Sequence, residues 1–158
     1  MLVILHSGQT GVERGAHRGA SVAGLAVAGF MPHDKRDELG PVPDEVADHL
    51  TAHFDRGPRP SVRANVSLAS GVLLVVPNAK SADKFTAMSA VLQAVRSARA
   101  PLLVCDPDMN LDDVANWVRA LPETSGSRRV LVTGPRGTRW QQGEGVARRI
   151  IAAVAAVA

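Results

Sequence analysis

Five residues near the start of the chain, Ser7-Gly8-Gln9-Thr10-Gly11, have the types and spacing of an anion cradle. Glycines at 8 and 11 let backbone N–H groups point inward with no Cβ in the way. The Ser7 and Thr10 hydroxyls and the Gln9 amide add donors. A helix starting near Val12 would turn its positive end to the same spot. The same residues would equally make a tight turn that binds nothing. The loop is not a Walker P-loop, because no Gly-Lys-Ser/Thr follows, and it is not Gly-x-Gly-x-x-Gly. Ser7 also lacks the Gly-x-Ser-x-Gly elbow of a hydrolase nucleophile.

A second turn, Gly134-Pro135-Arg136-Gly137, repeats the idea near the end of the chain. Arg136 could pair bidentately with a phosphate, with Arg139 assisting, and Trp140 could stack on a flat ring. On the residues alone, the preferred reading is of solvated arginines and of Trp140 as a cover for the core edge. The run His33 to Glu38 could supply a general acid or base, but a loop of mixed charge is expected to be solvated. The five histidines show no His-Glu-x-x-His spacing. His49 and His53 would chelate only if their segment were helical and a third ligand were near, so both are assigned to the surface.

These loops need elements to hold them. Apolar runs at Leu2–His6, Gly71–Val76, Pro101–Cys105 and Arg129–Thr133, with a short one at Gly29–Met31, read as strands. Helical patterns fall at Val12–Ala28, Ser61–Ser70, from Asp83 through Val95, at Leu111–Leu121 behind an Asn110 cap, and from Glu144 to Val157. Strands apolar throughout, alternating with helices, predict an α/β, Rossmann-like, doubly wound and mainly parallel sheet of five or more strands with helices on both faces. All strand carboxyl ends then share one rim, where the loops at 7–11, 32–43, 77–84, 106–110 and 134–140 gather.

The bulk properties fit one domain over 1–158. At 46% hydrophobic and 21% charged the chain is globular, and at 3% aromatic its core must be aliphatic. A net charge of +3 with no basic run predicts no nucleic-acid partner. The lone Cys105, inside an apolar run, reads as an inert buried thiol. No stretch approaches the roughly 20 apolar residues of a membrane span, and the first residues lack the basic n-region of a signal peptide. Cytoplasm is the expected compartment.

Several motifs in order resemble the molybdenum carrier family, whose members look like molybdenum cofactor carrier proteins. They are Ser7 through Arg14, Gly29-Phe30-Met31-Pro32, Glu38 through Pro43, Arg63-x-Asn65-Val66 and Thr133-Gly134-Pro135-Arg136. That family sits with the Rossmann-like proteins that include lysine-decarboxylase-like phosphoribohydrolases and DNA-processing protein A. The resemblance implies a carrier of molybdenum cofactor (molybdopterin), or a binder of a related pterin or nucleotide phosphate, rather than an enzyme. It also implies a homo-oligomer and a molybdoenzyme acceptor. Gly8, Gln9, Thr10 and Gly11 match the family's first phosphate loop, with Ser7 where relatives have glycine and Glu13 where they have Asp. Arg63 and Asn65 match its Arg-x-Asn-Val element, and Gly134, Pro135 and Arg136 match its last loop. Where relatives carry a Gly-Gly-Thr loop, this chain has Ser81 through Thr86, leaving Lys84 and Thr86 as candidates there. The alternatives are a phosphoribohydrolase, although its Pro-Gly-Gly-x-Gly-Thr-x-x-Glu pattern is missing, and a degenerate module acting by protein contact alone.

Overall fold

The computed structural model describes residues 1–84 and 88–157. The order is β1 (Leu2–Leu5), α1 (Val12–Ala23), β2 (Ala26–Ala28), β3 (Phe30–Met31), β4 (Arg36–Asp37), β5 (Gly40–Pro41), α2 (Asp44–Ala47), β6 (Thr51–Ala52) and α3 (Pro58–Leu68). Then come β7 (Gly71–Val75), a 3-10 helix at Ala79–Lys84, α4 (Ser89–Ala98), β8 (Leu102–Cys105), α5 (Leu111–Ala120), β9 (Arg128–Thr133) and α6 (Gly143–Ala156).

Five strands form one sheet in the order β2-β1-β9-β7-β8, and every pairing is parallel. Period-2 side-chain alternation splits each central strand between two cores. Ile4, Leu73, Val75, Val130 and Val132 meet the layer that holds α1, α5 and α6. Val3, Leu5, Val72 and Leu131 meet α3 and α4 on the other face. Burial on both faces is why these strands read as unbroken apolar runs. The Rossmann-like α/β expectation holds.

The strand order looks irregular until the chain is followed from β7. The sequence β7, β8, β9, β1, β2 then occupies the sheet as 2-1-3-4-5, the flavodoxin-like doubly wound order. The helices also agree, with α3 and α4 on one face and α5, α6 and α1 on the other. The topological switch point therefore lies between β7 and β9.

Three local expectations change. The helix expected over 12–28 stops at Ala23, because Gly24 turns left-handed (φ 71°) and its N–H closes the last turn. The freed Ala26–Ala28 becomes the edge strand. Phe30–Met31 leaves the main sheet and pairs with β6 instead. Helix α4 starts at Ser89, with Met88 rather than Asp83 at its N-cap. In α1, Gly15 and Gly19 allow a close approach to α6, not to the sheet, since a Cβ at Gly15 would fall 2.2 Å from the Glu144 carbonyl oxygen.

Candidate functional site

The loop after β1 is held from behind by the helix it introduces. The Ser7 N–H and hydroxyl both donate to Glu13 Oε1 at 2.6 Å. Thr133 at the end of β9 donates to Glu13 Oε2 at 3.2 Å. Arg14 donates to the Gly8 carbonyl at 3.0 Å and to Asp37 at 2.8 Å. Glu13 is fully buried, and burial raises its pKa against the lowering effect of its hydrogen bonds to Ser7, Thr133 and the Gln9 backbone. Gly8 and Gly11 both have positive φ. A Cβ at Gly11 would lie 2.6 Å from both the Gly137 nitrogen and the Pro135 carbonyl oxygen. Gly11 is thus required for the first and last loops to touch, and Gly137 N–H donates to Thr10 Oγ1 at 3.1 Å.

A histidine chain lies under this loop. Gly8 N–H donates to His6 Nδ1 at 2.9 Å, which leaves the His6 proton on Nε2, facing His17 Nδ1 at 3.0 Å. Burial, and then the neighbouring His17, Arg14 and His49, lower the His6 pKa to about 3. His17 is lowered for the same first reason, with His49 and Arg14 adding to it. His49 is exposed, but its ring packs edge-on against His17 at 5.1 Å. It is not helically paired with His53, because the chain leaves α2 at Ala47 and enters β6 at Thr51. His53 stacks on Phe54 instead. Among the described residues, no three His, Cys, Asp or Glu side chains are grouped to hold a metal ion.

In front of the loop lies a cleft of about 880 Å³, within the size range of small-molecule sites, roughly 300–1,000 Å³. Ser7, Gln9 and Glu13 line it from β1 and α1, and Thr133, Gly134 and Arg136 from β9. The starts of α3 (Arg56 to Val62) and α4 (Met88 to Val91) close one side, and Pro32 to Glu38 form a wall. Three helices therefore begin at the cleft, and Arg36, Arg56, Arg59 and Arg136 stand around it. Aligned helix N-termini and guanidinium groups both favour an anion.

The 33–38 run is not simply solvated. The Asp37 side chain is 4% exposed and paired with Arg14. Glu38 Oε1 accepts from the Thr10 hydroxyl and from Thr138 N–H at 3.2 Å, and Oε2 accepts from the Thr138 hydroxyl at 2.6 Å. Partial burial alone would raise the Glu38 pKa. The hydrogen bonds from Thr10 and Thr138, with Arg136 nearby, outweigh that and lower it. This network between a hairpin and two distant loops is invisible in a reading that treats each segment alone.

Of the residues singled out from sequence, Ser7, Gln9, Gly134 and Arg136 line the cleft, while Gly8, Thr10, Gly11 and Pro135 back it. Asn65 is elsewhere: it accepts from Phe30 N–H at 2.7 Å and donates to the Phe30 carbonyl at 2.9 Å, latching α3 to β3. Arg63 lines a separate groove between α3 and α4. Lys84 ends the 3-10 helix, and Thr86 lies outside the described residues. Trp140 packs on the core edge and on Gly143. Arg56 and Arg59 were missed, although Gly57-Pro58 before a periodic run marks a helix start, with Arg56 just before its cap and Arg59 on its first turn.

The chain matches the model of the circularly permutated YpsA SLOG family over residues 4–155. It belongs to that family. The permuted strand order described above fits the family's description. Among solved structures, the chain is similar to one named "Putative molybdenum carrier protein" from Syntrophus aciditrophicus SB, at a TM-score of 0.81 and 18% identity. The match covers 96% of this chain and 93% of that one, and shows a shared fold. No curated protein matches. No helix of the described residues is long and apolar enough to cross a membrane.

Proposed function

We propose that this SLOG-family protein is a binding or carrier protein for a phosphate-bearing small molecule held at the carboxyl ends of the strands. The observation that carries the reading is the convergence of three helix starts and four arginines on one cleft beside the β7/β9 switch point. A pterin phosphate such as molybdenum cofactor is the preferred ligand, supported by the name of the structural neighbour, with a nucleotide as the alternative. The arginines and helix starts would take its phosphate, and the cleft volume admits its ring system. Molybdenum in this reading travels as part of the cargo. On the same reading the chain acts over 1–158 as one ligand-binding domain, works as a homo-oligomer in the cytoplasm, and passes its ligand to a molybdoenzyme.

Native mass spectrometry of protein purified from a host that makes molybdenum cofactor tests this reading. A retained pterin or nucleotide mass is expected. Protein that retains neither and cannot be loaded with either sinks it.

A second reading, a phosphoribohydrolase acting on nucleoside monophosphates, is favoured by one observation: Glu13, Asp34 and Glu38 all line the cleft. Against it, the Glu13 oxygens already accept from Ser7 and Thr133. Incubation with a panel of nucleotides, followed by chromatography for free base, separates the two. No base is expected.

A further inference from the structure

We propose that Thr10, Thr138 and Arg136 form an anion subsite beside the cleft, which Glu38 fills with its own carboxylate until a phosphate group of the ligand displaces it. This rests on the anion-binding reading above and adds what occupies the donors before the ligand arrives.

The hydrogen-bond partners of the Glu38 carboxylate, Thr10 and Thr138, are donors, and its charged neighbour Arg136 is a cation. Thr10 receives the Gly137 N–H on its oxygen, so its only proton is directed to Glu38. Thr138 offers both its N–H and its O–H. Arg136, two residues before Thr138, adds positive charge and lines the cleft together with Glu38. Such a set, drawn from two loops more than a hundred residues apart, suits a phosphate as well as a carboxylate, since both present several acceptor oxygens.

The hairpin does not need Glu38 to stay in place. Its neighbour Asp37 anchors it through Arg14 and accepts the Leu39 and Gly40 N–H groups at 2.8 and 3.1 Å. Val42 N–H donates across to the Lys35 carbonyl at 2.9 Å. Releasing the Glu38 side chain therefore takes rotation of its own torsions, with the backbone of 36–41 held. Leu39 beside it is 78% exposed, so the tip of the hairpin is open to solvent there. A ligand that outcompetes an internal carboxylate must bring a strong anionic group, which excludes weak, neutral molecules from this end of the cleft.

Inorganic phosphate is the probe, titrated by calorimetry at pH 7 into the full chain and into Glu38→Gln and Thr138→Val. Glu38→Gln removes the internal competitor and should bind phosphate about tenfold tighter, while Thr138→Val should bind it several-fold more weakly. In the unaltered protein, the Thr138 amide resonance should move as phosphate is added. Phosphate binding that Glu38→Gln leaves unchanged or weakens, or that leaves the Thr138 amide unmoved, overturns the subsite and spares the wider reading. Absence of phosphate binding in every form also overturns the subsite, while the wider reading stands or falls with the loading of a pterin or nucleotide. Should Glu38→Gln fail to fold, the Thr138 resonance in the unaltered protein decides alone.

Discussion

Glu13 and His6 sit on either side of the first loop, and burial drives both toward their neutral forms. Their effects on stability have opposite signs. His6 titrates near 6.5 when unfolded and at about 3 when folded, so below 6.5 only the unfolded chain binds its proton. This has no effect above pH 6.5 and costs stability as the pH falls toward 3, by roughly 1 kcal/mol per pH unit, with His17 acting in the same sense. Glu13 has a raised folded pKa, so as the pH falls through that value the folded state gains a proton first and the cost of its buried charge is relieved. It partly masks the histidines. Urea unfolding across pH 4–7 should show an acid-side decline, and Glu13→Gln should make that decline steeper. The chemistry of Ser7 through Gly11 was legible as loop chemistry. What could not be read was that Gly11 serves contact between loops, because that depends on Gly137 lying against it. Substitution at Gly11 is therefore a test of loop docking before it is a test of ligand binding.

At the level of elements, α1 and α6 pack through glycine. Gly15→Ala would place its methyl against the Glu144 carbonyl, forcing the helices apart at a cost of about 1–3 kcal/mol. Gly145, exposed in α6 with open space around it, offers the control, since Gly145→Ala should stabilise by about 0.5–1 kcal/mol. Thermal unfolding of the two variants reads both signs. The strands β7, β8 and β9 and helix α5 stood out in the sequence because burial on two faces, or an Asn110 cap, marks them locally; the Asn110 side chain does accept from Asp112 and Asp113 N–H. β2 did not stand out. Its Ala26-Val27-Ala28 continues an alanine-rich helical pattern, and only the left-handed Gly24 ends that helix. The cleft wall at 32–38 was obscure for a related reason, since a buried Asp37 looks like any charged loop residue until Arg14 is seen beside it.

The whole molecule is a 2-1-3-4-5 sheet whose chain opens between the third helix of that cycle, α6, and the strand β1. In a parallel α/β sheet α6 runs back from the carboxyl edge, so it ends at the edge where β1 begins. Joining Ala158 to Met1 with a short Gly/Ser linker, and opening the chain after Leu68, should therefore restore β7 as first strand and leave the fold standing. Far-UV circular dichroism and the urea m-value of this permutant should equal those of the original chain. A shifted m-value would show that the two halves of the sheet depend on the present chain order.

The placement of the two tryptophans has an optical consequence. The chain has no tyrosine, so its near-ultraviolet emission comes from Trp117 and Trp140 alone. Trp117 lies over Gly71 at the far end of the sheet, whereas Trp140 closes the last loop, its backbone N–H donating to the Arg136 carbonyl at 3.1 Å. The loop that presents Arg136 to the cleft thus carries its own fluorophore, and a Trp117→Phe protein would report the state of that loop in a single emission band without any added label.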